Sequence, residues 1–185
     1  MKGLIKANII IAIFAAIIIE ALPLRFYAST AREINASIDA ALNRFIKQVK
    51  GSREYLAAAK GVLIIPEVKQ VGFIVGGEFG EGGLRIGGRT IGYYNIISGS
   101  VGPQIGAQLK DIILIFMDEA ALKKFRSSKN WQAGVDGTVT IITTGAEGSL
   151  DTTKINQPIV GFVSGQKGLM AGAMIEGSKF SRIKK

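Results

Sequence analysis

Glycine placement constrains this chain more than any other feature. Of its 24 glycines, twelve fall between Gly72 and Gly106. Helices are disfavoured at that density and strands are weakened by it, so glycine there marks bulges, tight bends or close backbone approach. Between the glycines stand short runs of β-branched and apolar residues: Val62-Leu63-Ile64-Ile65 ahead of Pro66, then 71–79, 84–86, 91–97, 101–109 and 112–117. Short, evenly spaced strands with glycine corners predict an antiparallel sheet that curls strongly, as far as a barrel. Gly76-Gly77-Glu78-Phe79-Gly80-Glu81-Gly82-Gly83 reads as a hairpin turn with glycine bulges. A phosphate loop would need a lysine, a Ser or Thr and a following helix, and this stretch has none of them.

Helical periodicity occurs on both sides of this region. Across 29–50, Ile34, Ile38, Leu42, Phe45, Ile46 and Val49 fall on one stripe of a 3.6-residue helix, with Thr30 and Glu33 spaced as a capping box and Gly51 as its stop. The opposite face ends in Arg44, Lys47 and Lys50. A second, alanine-rich helix is expected over 52–60. A third is expected near 118–126, with Asp118 and Glu119 in its first turn and Lys123, Lys124 and Arg126 in its last, the polarity that a helix dipole favours. Residues 134–144 read as a strand, 145–157 as a loop, 158–163 and 169–175 as paired strands around a turn at 164–168, and 180–183 as a last strand. The expected fold is α+β: N-terminal amphipathic helices packed on a strongly curved, glycine-rich antiparallel sheet or barrel. One domain is expected over 29–185, with a helical lead-in to residue 60 and mainly β structure beyond.

Residues 1–28 read as a leader. Lys2 and Lys6 precede an apolar run from Ala7 to Ile19 broken only by Asn8, and Glu20 ends it. That run is short of the roughly 18 apolar residues of a membrane-spanning helix. A signal peptide cleaved after Ala28 is expected, placing the protein in the periplasm or elsewhere in the envelope. The alternative is an uncleaved anchor on the inner membrane.

The chemistry available is limited. With no His and no Cys, the chain has no Ser-His-Asp or Cys-His nucleophile, no thiolate redox chemistry, no disulfides, and no His- or Cys-ligated metal. No cofactor or metal motif is present. Glu78 and Glu81 could serve a carboxylate-based hydrolase only if the fold brought them together, and Asp118/Glu119 is better explained by helix capping. The formal net charge is +9, and for an exported protein the matching partners are anionic phospholipids or another envelope component, with no nucleic acid. The expected contact residues form two groups. Arg44, Phe45, Lys47, Lys50 and Arg53 come from the first two helices; either the apolar stripe docks on the sheet while the basic face reads lipid charge, or Phe45 and Ile46 enter the bilayer below the headgroups. Lys123, Lys124, Arg126 and Lys129 surround Trp131, placed at a headgroup boundary.

From Lys60-Gly61-Val62-Leu63-Ile64-Ile65-Pro66 onward the chain resembles the SYLF domain family. The likeness continues through Val71-Gly72-Phe73, Gly76-Gly77, Gly80-Glu81-Gly82, Val101-Gly102, Gln104-Ile105-Gly106, Asp111-Ile112-Ile113-Leu114, Ala121-Leu122 with Phe125, Lys167-Gly168-Leu169 and Ile175-Glu176-Gly177-Ser178. It covers roughly Ile38 to Lys185. The resemblance implies a single α+β domain that binds phospholipid membranes without catalysis, aided by an N-terminal amphipathic segment. Eukaryotic relatives bind phosphoinositides and actin. This chain departs from them at Glu78, where they tend to carry a basic residue, and at Gly92-Tyr93-Tyr94-Asn95, where they carry Trp-Ser-x-Pro, so those two specificities are not transferred. The expected function is peripheral binding of anionic membranes by a basic surface and amphipathic helix. The alternative is an envelope scaffold that binds a protein or cell-wall partner through the same surface.

Overall fold

The computed structural model describes residues 29–72, 75–101, 108–142, 156–165, 168–169 and 175–185. The expected leader (1–28), most of the 145–157 loop and residues 170–174 of the expected 169–175 strand lie outside the described residues.

Helix α1 (Ala31–Gln48) opens with the expected capping box: the Glu33 N–H donates to the Thr30 hydroxyl, and the Glu33 carboxylate accepts from the Thr30 N–H. Gly51 follows in a left-handed conformation (φ 87°) and starts α2 (Ser52–Ala58). Four long strands come next: β1 (Gly61–Gly72), β2 (Val75–Ile86), β3 (Arg89–Val101) and β4 (Gln108–Phe116). Helix α3 (Glu119–Ser127) is capped by the Asp118 carboxylate, which accepts from the Ala121 N–H. Five short strands complete the chain: β5 (Asn130–Gln132), β6 (Thr140–Ile141), β7 (Ile159–Gly165), β8 (Gly168–Leu169) and β9 (Lys179–Ile183).

These strands make one nine-stranded sheet in the order β5-β9-β3-β2-β1-β4-β7-β6, with β8 paired to β7. Val62 and Ile64 join the apolar cluster of α1 and α2, while Leu63 and Ile65 join the cluster that holds Leu122 and Phe125 of α3. Successive side chains point to opposite faces, so α1 and α2 cover one face of the sheet and α3 covers the other. Burial on both faces explains why 62–65 and 112–116 are unbroken apolar runs instead of alternating ones. The curl brings the two ends of the strand order together: a Cβ on Gly137 would meet Trp131 of β5 at 2.8 Å and Ile159 of β7 at 3.4 Å. The result is an α+β half-barrel with Phe125 at its centre, its ring 4.9 Å from Tyr94 and Phe116 and 5.5 Å from Trp131.

Three expectations need correction. The sheet is mixed, because the chain leaving β5 crosses to the opposite edge and lays β6 parallel to β7 (Thr140↔Val160). The 134–144 segment is a turn, a bridge at Gly137 and only two residues of strand before its described part ends. The stretch 76–83 is the middle of β2, paired throughout with β3 and, on either side of the β1 bulge, with β1, and is no hairpin turn. Its glycines are there for close approach. A Cβ on Gly82 would fall on the Ile64 carbonyl oxygen, where β1 bulges between Ile64 and Lys69.

Candidate functional site

The apolar stripe of α1 is docked on the sheet. Ile34, Ile38, Ala41 and Phe45 are buried, and the Phe45 ring sits edge-on to Phe162 at 4.8 Å. Tyr55 of α2 closes on the same Phe162 ring at 5.2 Å. Phe45 therefore has no surface to offer a bilayer: of the two expected arrangements the docked one forms, and Phe45 is corrected as a lipid contact because Phe162 of β7 supplies its apolar environment. Trp131 is corrected in the same way, since it packs between Phe125 and Phe180 inside the half-barrel.

Arg44 anchors α1 to the sheet. Its Nε and Nη2 donate to the two carboxylate oxygens of Asp111 at 2.9 and 3.0 Å, and the same carboxylate accepts the Glu67 N–H at 3.0 Å. Glu67 holds φ 51°, a left-handed conformation uncommon for a residue with a side chain. Buried Asp111 thus fixes both the β1 bulge and the height of α1, and its hydrogen bonds push the Arg44 pKa up from its ordinary value.

The remaining expected contact residues lie on the surface. Lys47, Lys50, Arg53, Lys123, Lys124, Arg126 and Lys129 are all exposed, and none makes an ion pair among the described residues. The fold does not gather them into one patch. The α2 helix leads into β1 and α3 follows β4, and Gly61 pairs with Phe116, so both helices attach at the same end of the sheet. They leave it on opposite faces, however, with Lys47, Lys50 and Arg53 on one and the α3 cations on the other.

Glu78 and Glu81 do not meet. Glu78 shares its face with Lys110 in a buried ion pair (2.6 Å), while Glu81 lies on the other face, paired with Lys185 (2.8 Å). The paired-carboxylate reading fails on that geometry. Among the described residues no group of three His, Cys, Asp or Glu side chains could hold a metal, and no helix is long and apolar enough to cross a membrane. A groove of about 350 Å³ beside the start of α1 carries Glu33, Glu67 and Glu81 against Lys69, which makes it a poor site for a phosphate.

Sequence reasoning missed Lys69 and Lys179, both exposed, and the half-exposed Phe79, Ile97 and Leu109 near them. Only the strand register reveals that these five are neighbours.

Comparison with known families bears on this architecture directly. Residues 97–185 match the Ysc84 family model, described as a Las17-binding protein actin regulator. That segment is similar to the Ysc84 family. The match is consistent with the SYLF resemblance over the motifs from Val101 onward, and the family description is of a binding protein. No curated protein matches the chain. The Ysc84 match begins at Ile97, within β3, yet β2 and β1 lie between β3 and β4 in the sheet. The Ysc84 segment is thus interleaved with strands that precede it in sequence.

Proposed function

We propose that this protein is a non-enzymatic, peripheral binder of anionic phospholipid membranes in the cell envelope, exported by its leader. The observation that carries this reading is the set of seven exposed cations with no carboxylate partner among the described residues, Lys47, Lys50, Arg53, Lys123, Lys124, Arg126 and Lys129. A cation near an anionic leaflet contributes on the order of 1 kcal/mol, and the attraction fades beyond a Debye length of about 10 Å at 0.1 M salt. A cation already paired contributes less, so Arg44 is an anchor of the fold and not a lipid ligand.

The docked stripe of α1 shapes the mechanism. Inserting it into lipid would require opening the cluster around Phe45, Phe162 and Tyr55, so the helix acts through its polar side. Since the two cationic groups occupy opposite faces, one flat bilayer cannot engage both fully. Co-sedimentation with phosphatidylcholine vesicles, with and without phosphatidylglycerol, over a salt series tests this. Binding is expected only with the anionic lipid and is expected to fall as salt rises. Reversing Lys47, Lys50 and Arg53 to Glu, or Lys123, Lys124 and Arg126 to Glu, is expected to give unequal losses. Binding that ignores lipid charge would overturn the reading.

A second reading is that the same cations hold a protein or cell-wall partner, and the description of the matched family as a Las17-binding protein favours a protein. That reading predicts no vesicle preference, together with a stoichiometric partner recovered at low salt and released at high salt.

A further inference from the structure

Cations from three elements meet around one tyrosine at the end of the sheet where β1 begins. Helix α3 lies against that end, since a Cβ on Gly61 would meet Leu122 at 2.9 Å. Tyr94 of β3 packs on Phe125 of α3 with ring centroids 4.9 Å apart, and the next residue of that helix is Arg126. Tyr94 also pairs with Arg182 of β9, whose N–H donates to the carbonyl of Lys129, just ahead of β5, at 3.4 Å. Paired residues face the same side of a sheet, so the Arg182 side chain stands beside the Tyr94 ring. Gly92 leaves it room: a Cβ there would meet that ring at 3.4 Å and the Arg182 guanidinium at 3.5 and 3.7 Å. Arg182 and Lys184 together border an open cleft of about 740 Å³.

Two observations set this corner apart from an ordinary solvated basic surface. Arg126, Lys129, Arg182 and Lys184 are exposed, and none makes an ion pair among the described residues. The carboxylates of α3 and its cap, Glu119 and Asp118, stand at the opposite end of the helix from Arg126. The other observation is Tyr94 itself. The residue is 3% exposed, yet its hydroxyl has no hydrogen-bond partner among the described residues, where a buried hydroxyl ordinarily finds one. Burial raises the phenol pKa above its ordinary 10.0, so the group stays a donor at neutral pH. Arg182 and Arg126 act on it in the opposite sense, which requires both to lie near it.

We infer that this corner is a binding site for a phosphate monoester group, held by the Arg126 and Arg182 guanidinium groups and the Tyr94 hydroxyl, with Lys129 and Lys184 at its rim. Each guanidinium presents a planar fork that matches two phosphate oxygens. A carboxylate spreads one charge over two oxygens, whereas a phosphate monoester spreads nearly two over three at pH 7. The monoester is therefore the better match for two forks and a hydroxyl. It can be soluble or carried on a lipid headgroup, with the same chemistry at the site. The soluble form is independent of the membrane-binding reading, and the lipid-borne form rests on it.

Two arms separate these sources. Calorimetric titration of the full chain with glycerol 3-phosphate, against dimethyl phosphate as a diester control, tests the soluble form. Co-sedimentation with phosphatidylcholine vesicles carrying phosphatidate, or phosphatidylglycerol at matched surface charge, tests the lipid form, because only phosphatidate ends in a monoester. The monoester is expected to be preferred in at least one arm. Arg126→Gln and Arg182→Gln are each expected to weaken the preferred binding about tenfold, and Tyr94→Phe several-fold. Lys69→Gln, at the far end of β1, is expected to leave it unchanged. Melting temperatures check that the variants fold. Should Arg182→Gln melt early, Arg182→Lys keeps the charge without the fork and is expected to restore only part of the binding. If monoester and diester bind alike in both arms, or the arginine variants keep the wild-type preference, the inference falls, and salt-sensitive sedimentation with phosphatidylglycerol would leave the membrane reading standing. Binding of glycerol 3-phosphate without any vesicle binding would uphold the site and sink the membrane reading. Binding in neither arm would overturn both.

Discussion

At the scale of single residues, the chain separates what a side chain is from where it points. Trp131 stands beside Lys129 and ahead of Gln132, and its flanking charge suggests an interface. Its strand is only three residues long, too short for alternation to show that Asn130 faces out while Trp131 faces in. Thr30 and Glu33 are different, because a capping box needs nothing beyond local spacing, and the structure forms it as the sequence implies. Hydrogen bonds from the Thr30 backbone and side chain hold the Glu33 carboxyl below its ordinary pKa of 4.5. A carboxyl lowered in the folded state stabilises above its unfolded pKa, and this stabilisation is lost as pH falls through the lowered folded value. Glu33→Ala should therefore lower the melting temperature at pH 7 and have progressively less effect as the pH drops below 4.5. Thermal melts of the two proteins across that range check the sign, and an unchanged or widening gap in acid would contradict it.

At the scale of elements, helices were legible and strand boundaries were not. The α1 stripe is a property of one segment read alone, and the structure buries most of it. The 76–83 run looked like a turn because glycine in isolation signals freedom, whereas in β2 it signals a lack of room. What forbids a side chain at Gly82 is the Ile64 carbonyl on the neighbouring strand, pushed across by the β1 bulge that Glu67 and Asp111 stabilise. No local pattern could report that, since the bulge lies 13 to 18 residues away. The distinction is measurable. Gly82→Ala forces backbone apart in the middle of the sheet and is expected to cost about 3 kcal/mol. Gly99→Ala, with nothing within 4 Å of the added methyl, is expected to be neutral to about 0.5 kcal/mol stabilising. Denaturant unfolding of the pair reads the difference, and equal effects would mean that the glycines serve flexibility after all.

At the scale of the whole molecule, the sheet order governs what can be cut from the chain. The α+β class and strong curl were legible from glycine density and flanking helices. The mixed pairing of β6 and the opposite-face placement of the two cationic groups were not, because both arise from how the curl closes on itself. The family match at 97–185 invites the idea of a separable C-terminal module. Topology argues otherwise. The β4 strand in that segment hydrogen-bonds to β1 from Phe116 down to Gln108, and β3 reaches β1 only through β2. Without residues 61–86, β4 gains a bare edge facing β3 across a two-strand gap. The half-barrel core also loses Leu63, Ile65, Val68 and Leu84, all buried. Burying each such side chain contributes about 1.5–3 kcal/mol, against a total stability of about 5–15 kcal/mol for a domain of this kind. A fragment of residues 97–185 is therefore expected to lack cooperative thermal unfolding by circular dichroism, while residues 29–185 melt in a single transition. Co-expressing 29–96 with 97–185 is expected to restore that transition if the two pieces reassemble the sheet. A fragment 97–185 that melts cooperatively on its own would mean that β3 and β4 can pair without the strands between them, contrary to the register described here.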